Sequence, residues 1–273
     1  MLRADDVDFA YRPGTPILSG VTVGVRPGAI TGLLGPNGSG KTTLLKILAG
    51  TLRPARGQVT LDRVDLHTIS RTLVARRMAV VPQETQLAFD YSVLEVVLMG
   101  RYPHLGAFEI EGPADFEIAR EALVATGTLP LQDRAFATLS GGEKQRVIIA
   151  SALAQIRAPK STAAQPILLL DEPTTALDVG YQLETAALLR VLQRQLSLAI
   201  VISTHDLNFA ASLCHTVVLI REGTVRADGP TADVLTPANI RDLYGVDAEV
   251  YHHAGAGHLV VVPVHGHRPE QAR

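Results

Sequence analysis

Gly35-Pro36-Asn37-Gly38-Ser39-Gly40-Lys41-Thr42 fits the pattern G-x-x-x-x-G-K-[ST]. Before it runs Ala29-Ile30-Thr31-Gly32-Leu33-Leu34, short and apolar, which suits a buried strand. After it Thr43-Leu44-Leu45-Lys46-Ile47-Leu48-Ala49-Gly50 spaces its apolar residues as a helix does and ends on a glycine. The context is strand, glycine loop, helix, as the motif requires. Gly35, Gly38 and Gly40 let the backbone bend with its N–H groups turned toward an anion. The helix N-terminus adds partial positive charge beneath it. In this reading Lys41 reaches the β- and γ-phosphates and Thr42 supplies a hydroxyl to Mg²⁺. A glycine turn that binds nothing is the bland alternative, and the matching context disfavours it.

Composition narrows the class. The chain has 273 residues, 47% hydrophobic and 19% charged, which is an ordinary globular balance and enough for one large domain with a small appendage. A net charge of -2 and an aromatic content of 4% without tryptophan argue against a nucleic-acid surface. Cys214 is the only cysteine, so a disulfide framework is excluded, and it reads as a small buried residue in a reducing compartment. The N-terminus carries Arg3, Asp5, Asp6 and Asp8 rather than an apolar signal core. The apolar runs fall short of the roughly 20 residues that span a bilayer.

Outward from the loop, residues 2–10 and 17–25 alternate as strands around a turn at Arg12-Pro13-Gly14. Tyr11 ends the first; it can stack on adenine or be a half-buried strand-end tyrosine, and the residues alone leave both open. Gln58–Asp62 reads as a strand, 70–77 as a helix, and Met78-Ala79-Val80-Val81-Pro82-Gln83 as a strand stopped by proline. Gln83 can ligate Mg²⁺ or position water, although taken alone a polar loop residue is the stronger reading. Residues 92–100 form a capped helix, 101–106 an exposed loop, 114–127 a helix, and Leu129 to Asp133 begin another. This stretch reads as a helical insertion at about 90–160 in an α/β core.

Leu139-Ser140-Gly141-Gly142-Glu143 carries a capping box, Ser140 with Glu143 three residues on. A cap does not need two adjacent glycines, which favours N–H groups of Ser140, Gly141 and Gly142 left free for a phosphate. Residues 157–165 are small and polar and read as a surface loop. Ile167-Leu168-Leu169-Leu170-Asp171-Glu172 is an apolar strand ending in two acids, the place where open α/β sheets bind ligands. There Asp171 would hold Mg²⁺ through water, and Glu172 would orient or deprotonate an attacking water. Residues 198–204 repeat the pattern and end at His205, which can hydrogen-bond a γ-phosphate. A lone strand-end histidine is usually structural, and only the context promotes it. Beyond 231 come short helices at Thr231–Leu235 and Pro237–Leu243 and a hairpin with Val250-Tyr251 and Leu259–Val262. His252, His253, His258, His265 and His267 are irregularly spaced without cysteine or carboxylate partners, so they read as incidental residues of a solvated tail rather than a metal or haem site.

Together these motifs resemble the ATP-binding subunits of ABC transporters, over roughly residues 2–235. Gly35 to Thr42 matches the Walker A loop, with Thr43 beside it, and Gln83 the Q-loop. Leu139 to Glu143 matches the signature motif, with glutamate where many members have glutamine. Ile167 to Glu172 matches Walker B, Ala176-Leu177-Asp178 the D-loop, and His205 the switch histidine. Tyr11 falls where the family's adenine-stacking aromatic lies. The resemblance implies a P-loop NTPase ABC-type core with an antiparallel β subdomain and an inserted helical subdomain, followed by a C-terminal extension at 236–273. It implies ATP and Mg²⁺, catalytic roles for Glu172, His205 and Gln83, and metal contacts from Thr42, Gln83 and Asp171. It also implies a head-to-tail homodimer in which ATP lies between Gly35–Thr42 of one copy and Ser140-Gly141-Gly142 of the other. Permease subunits in the membrane, a substrate-binding protein served indirectly, and a peripheral place on the cytoplasmic face complete the expectation; nucleic acid does not figure.

Met99-Gly100-Arg101-Tyr102-Pro103-His104-Leu105-Gly106, Leu235-Thr236-Pro237 and Tyr244-Gly245-Val246 resemble importers of iron chelates (siderophores), haem and cobalamin. The long 157–165 loop and Leu87-Ala88-Phe89 tilt the resemblance toward haem. A soluble ABC ATPase of translation or DNA repair is the alternative, but the chain lacks a second cassette, a coiled-coil insertion and a basic charge. A regulator that no longer hydrolyses is disfavoured because Lys41, Asp171, Glu172 and His205 are all present.

Overall fold

The computed structural model describes residues 1–85, 87–157, 165–175 and 178–266. A six-stranded sheet forms its centre, in the order β10-β9-β3-β8-β7-β6. The strands are β3 (Ile30–Leu34), β6 (Met78–Val81), β7 (Ile167–Asp171), β8 (Ala199–Thr204), β9 (Thr216–Arg221) and β10 (Thr224–Pro230). All neighbours run parallel except β10, which returns antiparallel along β9. Every residue of β3, β7 and β8 is buried. That explains their continuous apolar runs: a parallel sheet is covered on both faces.

Register decides where the loops emerge. Leu34 pairs with Thr204, Asp171 with Ser203, and Val81 with Leu170. The four strands therefore end level, and the next residues are Gly35, His205, Glu172 and Pro82-Gln83. Four motifs scattered over the sequence meet at one sheet edge.

A second, antiparallel sheet is ordered β2-β1-β4-β5, with β1 (Leu2–Phe9), β2 (Leu18–Val25), β4 (Arg56–Leu61) and β5 (Val64–Asp65). Helix α1 (Lys41–Leu48) buries Leu44, Leu45, Ile47 and Leu48 in one cluster with Val7 and Val21 of this sheet and Leu33, Leu169 and Val201 of the central one. The glycine loop is thus followed by a helix packed into both sheets. On the other side, α3 (Val93–Leu98), α4 (Pro113–Ala125) and α5 (Gly141–Ile156) share a cluster with α6 (Val179–Leu196) and α7 (Leu207–Leu213). Ser70 caps α2 (Arg71–Arg77), and Ser92 with Glu95 forms a complete capping box on α3.

Two expectations for the helical layer need correction. Residues 101–106 are not an exposed loop, because Met99–His104 form a 3₁₀ helix against α5. Arg101 is buried there. Its Nε donates to Asp115 at 2.9 Å, and its Nη1 donates to the carbonyls of Ala154 at 2.6 Å and Arg157 at 3.1 Å. Those carbonyls end α5 and have no helical partners of their own, so a guanidinium is a good fit. Leu129–Leu131 is a single 3₁₀ turn rather than the start of a third α-helix. Most of the 157–165 loop, Ala176-Leu177 of the D-loop and His267 lie outside the described residues.

The C-terminal segment is built rather than loose. It contains α8 (Thr231–Val234), α9 (Pro237–Tyr244) and a hairpin of β11 (Val246–His253) and β12 (His258–Gly266). Ile240, Ala248 and Val261 bury together, so His252, His253 and His258 belong to a docked hairpin and not to a solvated tail. Cys214 is buried against Gly32, where an added Cβ would come 2.9 Å from its Sγ. Burial pushes its thiol up to about 12.

Candidate functional site

The glycine loop leaves β3 and enters α1 through two residues with positive φ, Gly38 at 78° and Gly40 at 104°. Gly40 is the N-cap of α1, and α1 has no side-chain cap bond. A Cβ on Gly40 would meet Leu18 Cδ2 at 2.7 Å, so the position excludes side chains on steric as well as conformational grounds. Lys41 follows, almost fully buried, with Nζ donating to the carbonyls of Gly35 at 2.9 Å and Pro36 at 3.1 Å. Burial lowers its pKa, and the carboxylates of Glu172 and Asp171 act against that shift. The Glu172 carboxylate lies 3.7 Å from Nζ.

Asp171 closes β7, and its Oδ1 accepts from Thr42 Oγ1 at 3.0 Å and from Ser203 Oγ. Glu172 has φ 44°, a left-handed conformation that costs a residue with a side chain about 1–3 kcal/mol and clusters at functional sites. Its N–H donates to the Ser203 carbonyl at 3.1 Å and approaches Ser203 Oγ at 3.0 Å. The turn leads its carboxylate away from the strand to Lys41, to Thr175 Oγ1 at 2.9 Å and to His205 Nδ1 at 3.3 Å. His205 is half exposed.

A cleft of about 400 Å³ opens above these groups, lined by Tyr11, Gly38, Lys41, Thr42, Gln83 and Glu172 among others. That is a size suited to a small ligand. Tyr11 is more than half exposed rather than a half-buried strand end. Its ring stands 88° to Phe9, and its hydroxyl is 3.4 Å from Thr43 Oγ1. Gln83 is exposed and also lines the cleft. The donors around Thr42, a hydroxyl, a carboxylate and an amide oxygen, are all hard oxygen, the set that suits Mg²⁺.

Ser140, Gly141 and Gly142 do not line this cleft. Ser140 Oγ accepts from Glu143 N at 3.3 Å, and Glu143 Oε2 accepts from Ser140 N at 2.8 Å. The expectation that all three N–H groups stand free is therefore corrected for Ser140, whose amide closes the capping box. Gly141 and Gly142 hold the first helical positions, whose N–H groups have no carbonyl in a preceding turn. Gly142 has a second reason to be glycine: a Cβ there would sit 2.2 Å from the Tyr181 ring.

Sequence reasoning missed two groups of this site, Ser203 under Asp171 and Thr175 beside Glu172. Ser203 becomes visible once β7 and β8 are paired in register, since Asp171 and Ser203 are direct partners.

A family model described as ABC transporter matches residues 18–175. The chain is 44% identical over 252 residues to the hemin import ATP-binding protein of Bordetella pertussis, covering 92% of this chain and 95% of that one. It is 38% identical over 259 residues to the cobalamin import ATP-binding protein of Halobacterium salinarum, covering 95% of this chain and 62% of the relative. Among solved structures, a metal-chelate type ABC transporter in an inward-facing conformation superposes with a TM-score of 0.82 at 28% identity, covering 97% of each chain.

Proposed function

The chain belongs to the ABC transporter family, and from that membership we propose that it is the ATP-hydrolysing subunit of an importer whose cargo is haem. The observation that carries the ATPase reading is the meeting of Lys41, Thr42, Asp171, Glu172 and His205 at one sheet edge beside a cleft. The hemin relative, together with Leu87-Ala88-Phe89, supports haem. Cobalamin is the second reading, favoured by the other relative.

Adenine stacks on Tyr11, and the phosphates lie in the loop from Gly35 to Thr42, at the open N-terminus of α1, with Thr43 at its side. Lys41 turns from the Gly35 and Pro36 carbonyls to the β- and γ-phosphates. That exchange removes the cation from Glu172, whose carboxylate then accepts a proton from the attacking water or orients it. His205 donates to the γ-phosphate and holds the water-side geometry with Glu172. Mg²⁺, when bound, would offset the phosphate charge; Thr42, Asp171 through water, and Gln83 are the residues that would hold it. Residues 1–235 form the cassette and 236–273 its extension.

One copy is incomplete, because its Ser140-Gly141-Gly142 segment lies outside its own cleft. A second copy, packed head to tail, brings that segment to the γ-phosphate with the Gly141 and Gly142 amides free. Closure excludes water and strengthens each charge contact with the transferring group. The Gln83 loop and the helical layer pass the motion to permease subunits, which receive cargo from a substrate-binding protein. No described helix is long and apolar enough to cross a membrane; attachment to the permease at the cytoplasmic face is peripheral.

The test is a Glu172→Gln chain, tagged and recovered from detergent-solubilised membranes with Mg-ATP. A dimer that holds ATP and carries a many-spanning permease, whose binding protein takes haem and not cobalamin, is the expected result. Recovery with ribosomal or DNA-repair proteins and no membrane protein would overturn transport.

A further inference from the structure

The C-terminal segment enters the nucleotide site at a single hydroxyl. Tyr244 is the last residue of α9, and Gly245, with φ 67°, turns the chain from it into β11. Tyr244 Oη donates to the carbonyl oxygen of His205 at 3.2 Å. Burial, with the Asp206 and Glu172 carboxylates nearby, pushes its ionisation far up, while a hydrogen bond with the Gly35 backbone acts the other way. The phenol is therefore a neutral donor at any working pH. It stands where the glycine loop, the Glu172 turn and the His205 loop converge.

The same segment holds the His205 loop at a second point. Asn208, on α7, exchanges two hydrogen bonds with the backbone of Val261 in β12: Nδ2 donates to its carbonyl at 3.1 Å, and Oδ1 accepts from its N–H at 2.8 Å. The segment is itself anchored, by Ile240, Ala248 and Val261 burying together and by Arg221 of β9 donating to the Asp242 carbonyl. A half-exposed imidazole on a connection between β8 and α7 would otherwise depend on its own contact with Glu172.

We propose that Tyr244 is a positioning residue of the ATPase site: its hydroxyl holds the His205 backbone so that the imidazole stays against Glu172, which makes the C-terminal helix and hairpin part of the hydrolytic unit. The inference rests on the ATPase reading above. A positioning role of this kind acts on the transition state more than on nucleotide affinity.

The experiment compares full-length wild type, Tyr244→Phe, His205→Ala and the double variant in single-turnover and steady-state ATP hydrolysis. The phenylalanine keeps the ring packing and removes one hydrogen bond. Turnover is expected to fall about 3–10-fold, the size of one net hydrogen bond, with KM for ATP moving less than about twofold and the melting temperature falling by no more than about 2–4 °C. In the His205→Ala background the same substitution is expected to have almost no further effect, because its action runs through that residue. Asn208→Ala cuts the second tie and is expected to lower turnover in the same direction, again only while His205 is present. Unchanged turnover in Tyr244→Phe, a rise in KM alone, or an equal fold loss in both backgrounds would overturn the proposal. The wild-type chain separates the two readings. Without ATP turnover the ATPase reading falls. Turnover that is indifferent to Tyr244→Phe removes only the part assigned to the C-terminal segment.

Discussion

Two helices in this molecule begin at glycines, α1 just after them and α5 on them, and they begin differently. Helix α1 starts at a left-handed glycine with no side-chain cap. Helix α5 starts at Ser140 with a complete capping box. An uncapped helix start leaves its first amides to a ligand. A capped one has spent part of that capacity inside the chain, here the N–H groups of Ser140 and Glu143. On the function proposed above, the first start holds a nucleotide within one copy and the second meets one held by another. The first has a buried lysine and a cleft; the second keeps only two glycine amides and is otherwise closed.

Changes at the two starts should therefore fail in different ways. The largest effect belongs to α1. Lys41→Ala removes the buried cation beside the loop and leaves Glu172 with Thr175 and His205 as its partners. ATP turnover is expected to fall by about 10³-fold or more, and nucleotide binding measured by fluorescence should weaken with it. Retained turnover would remove the distinction at its source.

Ser140→Ala comes next. In the nucleotide-free chain it should cost α5 about 1 kcal/mol, the usual worth of a cap, readable in urea unfolding. ATP binding to the isolated chain should hold, because Ser140 is not in the cleft, while turnover, which on the proposed function needs the second copy, falls. A loss of ATP binding in the monomer would place both helix starts in one site and end the comparison.

Gly142→Ala sets its methyl on the Tyr181 ring, where a Cβ would have 2.2 Å. Overpacking of this kind costs about 1–3 kcal/mol, and Tyr181→Ala in the same chain should restore most of the loss of melting temperature. No rescue would mean that Gly142 is needed for its backbone alone.

The smallest effect is expected from Glu143→Gln. Glutamine also completes a capping box, so stability near neutral pH should change little. The pH dependence should change instead. The hydrogen bonds to Ser140 hold the Glu143 carboxyl below its usual range. A carboxylate with a depressed folded pKa adds stability above its unfolded pKa and loses it as pH falls through the folded value. The glutamine variant should lack that acid-side decline in a comparison of melting temperatures from neutral to acid pH. Identical profiles would show the capping box to be indifferent to the charge.

The parts of the site legible in the sequence are those whose chemistry is local. The glycine loop, the capping boxes at Ser92 and Ser140, and the two apolar strands ending in acid or histidine announce themselves within a few residues. The strand bounds followed for the same reason, since burial on both faces leaves a continuous apolar run. What stayed hidden depends on pairing across long separations. Ser203 reaches Asp171 only through strand register. Tyr244 reaches His205 only because α9 packs back onto the sheet. Arg101 read as exposed because a charge usually is, yet Asp115 and the last carbonyls of α5 together satisfy it inside. The tail histidines read as loose because their spacing is irregular and they lack cysteine or carboxylate partners, and the docking of their hairpin on α7 and α9 leaves no mark in its own sequence.

Cys214, packed on Gly32 with its thiol at about 12, has a consequence for measurement. Thiol-directed dyes and spin labels react with thiolates, and at neutral pH this one presents almost none. The chain is thus a ready blank for spectroscopic labelling. A cysteine placed at Tyr102, on the helical layer, and another at Tyr251, on the hairpin, both well exposed, would take a probe pair with no native cysteine removed. Their separation, followed as nucleotide is added and consumed, would report the relative travel of the two layers in real time.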